Sequence, residues 1–428
     1  MAGAGILLAG CAREPLAGDA SVGDDAGGGT TYDGPPVSLS YWNGFTGGDG
    51  PIMLALVDKF NGAHPNIDVA MNLVRWEDYY QKVPAAVYSG AGPDVGIMHI
   101  DQLATYAALN VILPLDDVAA ALGLAEDDFA PVVWEGGIYN GKRYGIPLDM
   151  HPLGFFYNKG VMKEAGLDPN KPPATAAEYE AALEQMKSKG IQGSWVSPFL
   201  FTGGLMFQSL VPQFGGSLYA ADGSRATFDS DAGVEALSWL VGLVDKGYSP
   251  PNVGQDADNG AFMNGDNAFI WNGPWIIGLY ASNPALEWGV TPLPRIGTER
   301  GAWGNSHNFV VMNQREPDPN RLQASKVFIS WMSNHSIEWA EAGMVPARRQ
   351  VRESRAFAKL AEQNQFAKEI DYMHLPPPVP GIPDAQEAVE RAVNEAVLRI
   401  KSPRDALADG ARIANDLLAE NRASYGGG

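Results

Sequence analysis

The segment from Val37 to Met98 alternates strand and helix signals, and this pattern narrows the architectures open to the chain more than any other feature. Val37-Ser38-Leu39-Ser40-Tyr41-Trp42 alternates apolar and polar residues, as a half-buried strand does. A glycine-rich loop, Asn43 to Gly50, follows, and Pro51 is placed to open a helix. Ile52, Leu56 and Phe60 then recur at helical spacing. Asp68 to Val74 alternates again, Tyr79 to Tyr88 reads as helix, and Pro93 to Met98 reads as a short buried strand. Strand, helix, strand, helix, strand in close succession favours a mainly parallel sheet flanked by helices. The pattern restarts downstream. Tyr144 to Leu148 and Leu153 to Tyr157 are predicted strands on either side of Asp149-Met150-His151-Pro152. Thr175-Ala176-Ala177-Glu178 is a capping box for a helix that stops at Gly190. Val234, Leu237, Val241 and Val244 line another helix, ended by Gly247. Further strands are expected at Ala268 to Trp271, Trp288 to Val290 and His307 to Met312, and helices at Ala385 to Ile400 and Ala406 to Leu418. The fold class is therefore α/β, with two lobes around a cleft.

Composition sets the outer limits. Apolar residues make up 45% of the 428 residues, enough for more than one core. No stretch approaches about 18 consecutive apolar residues, so no spanning helix is expected. The formal charge of −20 repels phosphate backbones and argues against a nucleic-acid partner. There is 1 cysteine, Cys11, in Leu7-Leu8-Ala9-Gly10-Cys11. This run resembles the lipobox of bacterial lipoproteins, in which the leader is cut before a cysteine that is then acylated and anchors the protein to the membrane. Met1 to Gly5 lacks the basic residues of a secretory leader, so residues 1–11 read as a leader whose true start lies upstream. Residues 12–36, rich in Gly, Ala, Asp and Ser, read as a flexible tether.

The motifs of common chemistries are missing. There is no Gly-x-Ser-x-Gly elbow and no His-Glu-x-x-His, and no Gly-x-Gly-x-x-Gly follows a strand. Gly136 to Lys142 mimics a phosphate loop, but Arg143 stands where Ser or Thr would hold magnesium, so it reads as a surface turn. The six histidines, at 64, 99, 151, 307, 335 and 374, show no metal-ligand spacing. No catalytic residue, metal or cofactor is expected. Glu77, Asp101 and Asp149 leave a carboxylate-pair glycosidase as the runner-up.

Several segments, in order, resemble the family 1 extracellular solute-binding proteins, the group that includes the maltose-binding protein. They are Trp42-Asn43-Gly44, Phe60 to Pro65, Pro93-Asp94-Val95, Tyr144 to Pro147 leading to Tyr157-Asn158-Lys159, Asn272-Gly273-Pro274-Trp275, Gly289-Val290 with Pro292-Leu293-Pro294, and Met344 to Arg348. The resemblance implies a two-lobe, type II-like periplasmic-binding-protein fold with a hinged cleft. Crossovers are expected near 147–151, 303–307 and 342–347. The N-terminal lobe would be 37–148 plus 306–343, and the C-terminal lobe 149–304 plus 345–425. It also implies a monomer that delivers a solute to the permease subunits of an ABC importer.

Sugars present apolar C–H faces and a rim of hydroxyls, so their sites need aromatic plates and bidentate polar groups. The resemblance places a stacking tryptophan at Trp275 and sugar-binding polar residues at Asp101 and Gln102. Asn43, Phe45 and Thr46 occupy the first loop, where Phe45 replaces a charged residue of the maltose-binding protein. Asp149 and His151 lie at the first crossover, Trp303 and Asn305 at the second, and Arg348 at the third. Glu77 follows Trp76 at a helix start, and Phe199 and Phe207 are candidates for the second lobe's wall. A glycerophosphodiester is a second ligand class, and a purely structural surface lipoprotein is the remaining rival.

Overall fold

The computed structural model describes residues 31–425. The predicted leader with Cys11, and the tether up to residue 30, lie outside the described residues. The strands that build the two main sheets are, in chain order, β1 (Val37–Asn43), β2 (Ile67–Leu73), β3 (Val95–His99), β4 (Ile146–Pro147), β5 (Gly154–Asn158), β6 (Phe269–Asn272), β7 (Trp288–Thr291) and β8 (His307–Val311).

The first sheet has five strands in the order β2-β1-β3-β8-β4. β1 runs parallel to both β2 and β3, with Leu39 opposite Val69 and Tyr41 opposite Val95. β8 returns antiparallel to β3, placing His307 opposite His99. The expected strand–helix alternation is present: helices Gly50–Ala63 and Trp76–Ser89 separate the three parallel strands. Pro51 sits in the first turn, where its missing N–H costs nothing. Leu39, Phe60, Ile97, Phe309 and Phe328 form the core on one face.

The second sheet has three strands in the order β7-β5-β6, and both pairings are antiparallel. The expectation of a mainly parallel sheet holds for the first half and fails here. β5 and β6 are joined by a long helical excursion rather than a single crossover helix, so nothing forces their directions to agree. Helices Ala176–Lys187, Leu205–Gln213, Asp231–Asp245, Ile382–Val397 and Pro403–Tyr425 pack around this sheet, burying Leu183, Phe207, Leu237 and Val393. Thr175 caps the first of these, its Oγ1 accepting from Glu178 N at 3.3 Å. Glu178 Oε2 reaches back to Ala174 N at 2.9 Å, one residue beyond the standard box. The phosphate-loop mimic is a hairpin pairing Ile138–Tyr139 with Lys142–Arg143, turned by Asn140 and Gly141 at φ 48° and 74°. The Arg143 guanidinium lies 3.8 Å from the Trp134 ring centroid.

Three chain segments run side by side between the sheets. Leu148 N donates to His307 O at 2.8 Å, His151 N to Asn305 O at 3.0 Å, and Ala347 N to Leu148 O at 3.2 Å. Val345 and Pro346 also pair with Met150 and Asp149. The halves touch again farther out, where Gly381 N donates to Thr105 Oγ1 at 3.0 Å. Among the described residues no helix is long and apolar enough to cross a membrane.

Candidate functional site

Ligand sites in open α/β sheets lie beyond the carboxyl ends of the strands, and here those ends converge on the three connecting segments. β1 ends at Asn43, β3 ends at His99, and β8 begins at His307 beside them. Asp149, on the first segment, is fully buried and is the hub. Its carboxylate accepts from His151 Nδ1 at 3.0 Å, His307 N at 3.1 Å, His307 Nδ1 at 2.8 Å and Trp339 Nε1 at 2.6 Å. Burial alone would raise its pKa, but His307 and His151 more than offset this and hold the carboxyl below the usual range. Burial lowers His151 to about 4, with His307 adding to the effect and Asp149 opposing it. His99 is also pushed down, by burial and then by its two histidine neighbours.

Aromatic rings enclose this hub. Trp76 stacks on His307 at 5.8 Å and 13°. Phe45 lies 4.9 Å from His307 and 4.7 Å from Trp339. From the other half, Trp275 and Trp303 stand 5.9 and 6.1 Å from His151. Trp275 is half-buried and packs against the cores of both halves. Phe201, partly exposed, lies 6.1 Å from the Trp275 ring.

Several of the molecule's buried polar atoms without a hydrogen-bond partner lie in this region. Asn43 Oδ1 accepts from Phe45 N at 3.1 Å, while Asn43 Nδ2 finds no partner. Asp101 is buried in the turn after β3 and its Oδ1 is unpartnered. Burial pushes Asp101 up to about 6, partly offset by Asn305. Asn305 Oδ1 accepts from Ile100 N at 3.1 Å and Ser306 N at 2.9 Å, tying the second segment to the same turn. His151 Nε2 is likewise buried without a partner. Each such group costs about 1–3 kcal/mol unless something completes it.

The structure therefore gathers Asn43, Phe45, Asp101, Asp149, His151, Trp275, Trp303 and Asn305 around one locus. Gln102 is half-buried beside Asp101, and Thr46 is exposed on the first loop. The other candidates make their observed contacts outside this cluster or are exposed. Glu77 is exposed at a helix start and pairs with Arg75 at 3.3 Å, which suits the helix dipole. Phe207 is fully buried in the second half's apolar core, and Phe199 is 42% exposed. Arg348 donates to Asn334 Oδ1 at 3.1 Å, an anchor between the third segment and helix Pro319–Asn334. Sequence spacing also misled about the histidines: His99, His151 and His307 come from three distant segments, yet one ring nitrogen of each lies within 4.8 Å of the others. Trp76, Trp339, His99 and His307 were not among the expected site residues. Their signal was position, since His99 precedes Asp101 and His307 follows Asn305 at the strand ends. A separate groove of about 510 Å³, lined in part by Lys159, Glu287 and Trp288, shares no residue with this locus.

The family model for bacterial extracellular solute-binding proteins matches residues 55–365. The chain belongs to that family. A maltotriose-binding protein of Pyrococcus abyssi is 20% identical over 375 residues, covering 85% of this chain and 78% of the relative. The sn-glycerol-3-phosphate-binding periplasmic protein UgpB of Escherichia coli is 23% identical, covering 89% and 92%. A solved cyclic alpha-maltosyl-1,6-maltose binding protein from Arthrobacter globiformis matches with a TM-score of 0.75 and 26% identity, covering 90% of this chain and all of that one (100%). The architecture is thus that of the two-lobe solute-binding proteins. These relatives are binding proteins rather than enzymes, and as a family member this solute-binding protein is an extracytoplasmic capture component serving ABC import.

Proposed function

We propose that this solute-binding protein captures a neutral carbohydrate, a mono- or oligosaccharide, between its lobes and releases it unchanged to the importer's permease. The observation that carries this is the pairing of aromatic plates with buried, incompletely bonded polar groups at the crossovers. Trp275, Trp303, Trp76 and Phe45 supply ring faces, while Asn43 Nδ2 and Asp101 Oδ1 lack partners that sugar hydroxyls would provide. Two names among the relatives speak for sugars, the maltotriose-binding and cyclic maltosyl-maltose-binding proteins.

The sn-glycerol-3-phosphate-binding relative, together with a solved UgpB from Mycobacterium tuberculosis in complex with glycerophosphocholine, favours a glycerophosphodiester as a second reading. Charge weighs against it: Asp101 and Asp149 are both buried at the locus, and Arg348 is committed to Asn334. Catalysis is disfavoured for a related reason. Asp149 spends both oxygens on four donors, so it is held as an acceptor rather than left free to carry protons.

The moving lobes are assigned as 37–148 plus 306–343 and 149–304 plus 345–425, hinged on the three side-by-side segments. The chain acts as a monomer, and Cys11 carries a lipid anchor with residues 12–36 as its tether. A thermal-shift screen of neutral oligosaccharides against glycerophosphocholine tests the ligand class. Saturating sugar at 100 times its Kd should add about 2.7 kcal/mol, and Trp275→Ala should lose most of that gain while melting normally without ligand. A shift with glycerophosphocholine and none with any sugar would reject the carbohydrate reading.

A further inference from the structure

We propose that His99, His151 and His307 form a binding site for a divalent transition-metal ion of the zinc class. One ring nitrogen of each lies within 4.8 Å of the other two. The ring centroids are 4.2 Å apart for His151 and His307, 4.8 Å for His99 and His307, and 5.6 Å for His99 and His151. A zinc ion bonded at about 2.0–2.1 Å to each nitrogen holds them about 3.4 Å apart, so binding draws the three rings slightly inward.

The surroundings are those of a metal site. Metal-binding histidines use one ring nitrogen for the ion and donate the other N–H to a carboxylate or hydroxyl, which fixes the ring. Here His151 Nδ1 and His307 Nδ1 both bond Asp149, at 3.0 and 2.8 Å, and His99 Nδ1 shares a 2.6 Å hydrogen bond with the Tyr80 hydroxyl. With Nδ1 so engaged, Nε2 is the nitrogen each ring would offer the ion. On His151, which is 1% exposed, that Nε2 is buried with no partner. Charge points the same way. A carboxylate sealed from water needs positive charge nearby, and among the described residues the ion-pair partners of Asp149 are these imidazoles. A dication beyond the imidazoles supplies that charge. Three nitrogen ligands suit zinc, copper, nickel or cobalt and disfavour magnesium and calcium.

The ion would join a first-sheet residue, His99, to two crossover residues, leaving a fourth position for water or a solute oxygen. The proposal rests on the three rings and not on the carbohydrate reading, and a bound dication would weaken the charge argument against a phosphodiester. It is tested on the whole chain, stripped with a chelator and titrated with zinc chloride alone by calorimetry, and with cobalt chloride by visible absorption. The expected result is one zinc ion per chain, with affinity falling at least tenfold in His99→Gln and in His151→Gln and unchanged in the exposed His374→Gln. Cobalt should give the intense visible bands of a four-coordinate site. If His151→Gln loses its circular-dichroism spectrum, the less buried His99→Gln decides. No saturable zinc binding, zinc affinity unchanged in His99→Gln, or only the weak cobalt spectrum of six-coordinate surface binding would overturn the assignment.

Discussion

The second lobe's core and the crossover locus bury their residues almost equally, but with opposite chemistry. Phe207, Leu210, Leu237 and Leu240 are sealed among apolar side chains. At the crossovers Asn43, Asp149, His151, Asn305 and His307 are just as deeply buried, yet polar. The core gains roughly 1.5–3 kcal/mol for each large side chain it covers. The crossover locus gains less, because its polar groups must first be desolvated. On the proposed reading, the unpartnered polar atoms of Asn43, Asp101 and His151 are kept for a guest, while the apolar core holds the lobe together.

Variants can separate the two. Phe207→Ala should cost about 3–5 kcal/mol in a urea melt, leaving solute affinity of the folded fraction unchanged; a large affinity loss would move Phe207 out of the core role. Asp258 probes buried polarity outside the three connecting segments. It is buried next to Thr202, whose hydroxyl donates to it, and burial raises it to about 6. A carboxyl raised by folding favours the protonated form, so its penalty is absent below about pH 4 and complete above about pH 6. Asp258→Asn should therefore gain on the wild type by about 3 kcal/mol between those limits; a constant difference across that window would contradict the burial argument.

Asp149→Asn keeps the shape but removes the charge that orients two imidazoles. A loss of about 1–3 kcal/mol in stability is expected, with weakened solute binding, read by chemical denaturation and calorimetry. If binding survives intact, the hub is structural only. The smallest effect is expected at Glu77→Gln, whose exposed pairing with Arg75 is worth about 0–1 kcal/mol. Any measurable change in solute affinity there would extend the site beyond the crossovers.

Legibility in the sequence follows the same division. The first sheet was readable because each parallel strand is separated from the next by one amphipathic helix, and Pro51 marked a helix start. The second sheet was not, since β5 and β6 are only 5 and 4 residues long and lie far apart in the chain, so no local pattern carries their direction. Asp101, Asp149, Trp275 and Asn305 are candidates by motif position, and the structure places them near one locus. The histidines were missed because spacing along the chain says little about residues that meet only where three crossovers come together. Phe207 and Glu77 show the converse: an aromatic on a buried helix and an acid at a helix start have sufficient reasons to be there without a ligand.

The central claim is that the cleft holds a carbohydrate and gives it back unaltered. Calorimetric titration of the whole chain with the sugar selected by the thermal screen, followed by mass analysis of the recovered guest, tests it directly. The account predicts one saturable site per chain and a guest of unchanged mass. A guest returned as cleavage products, or no saturable heat with any neutral sugar, would contradict it.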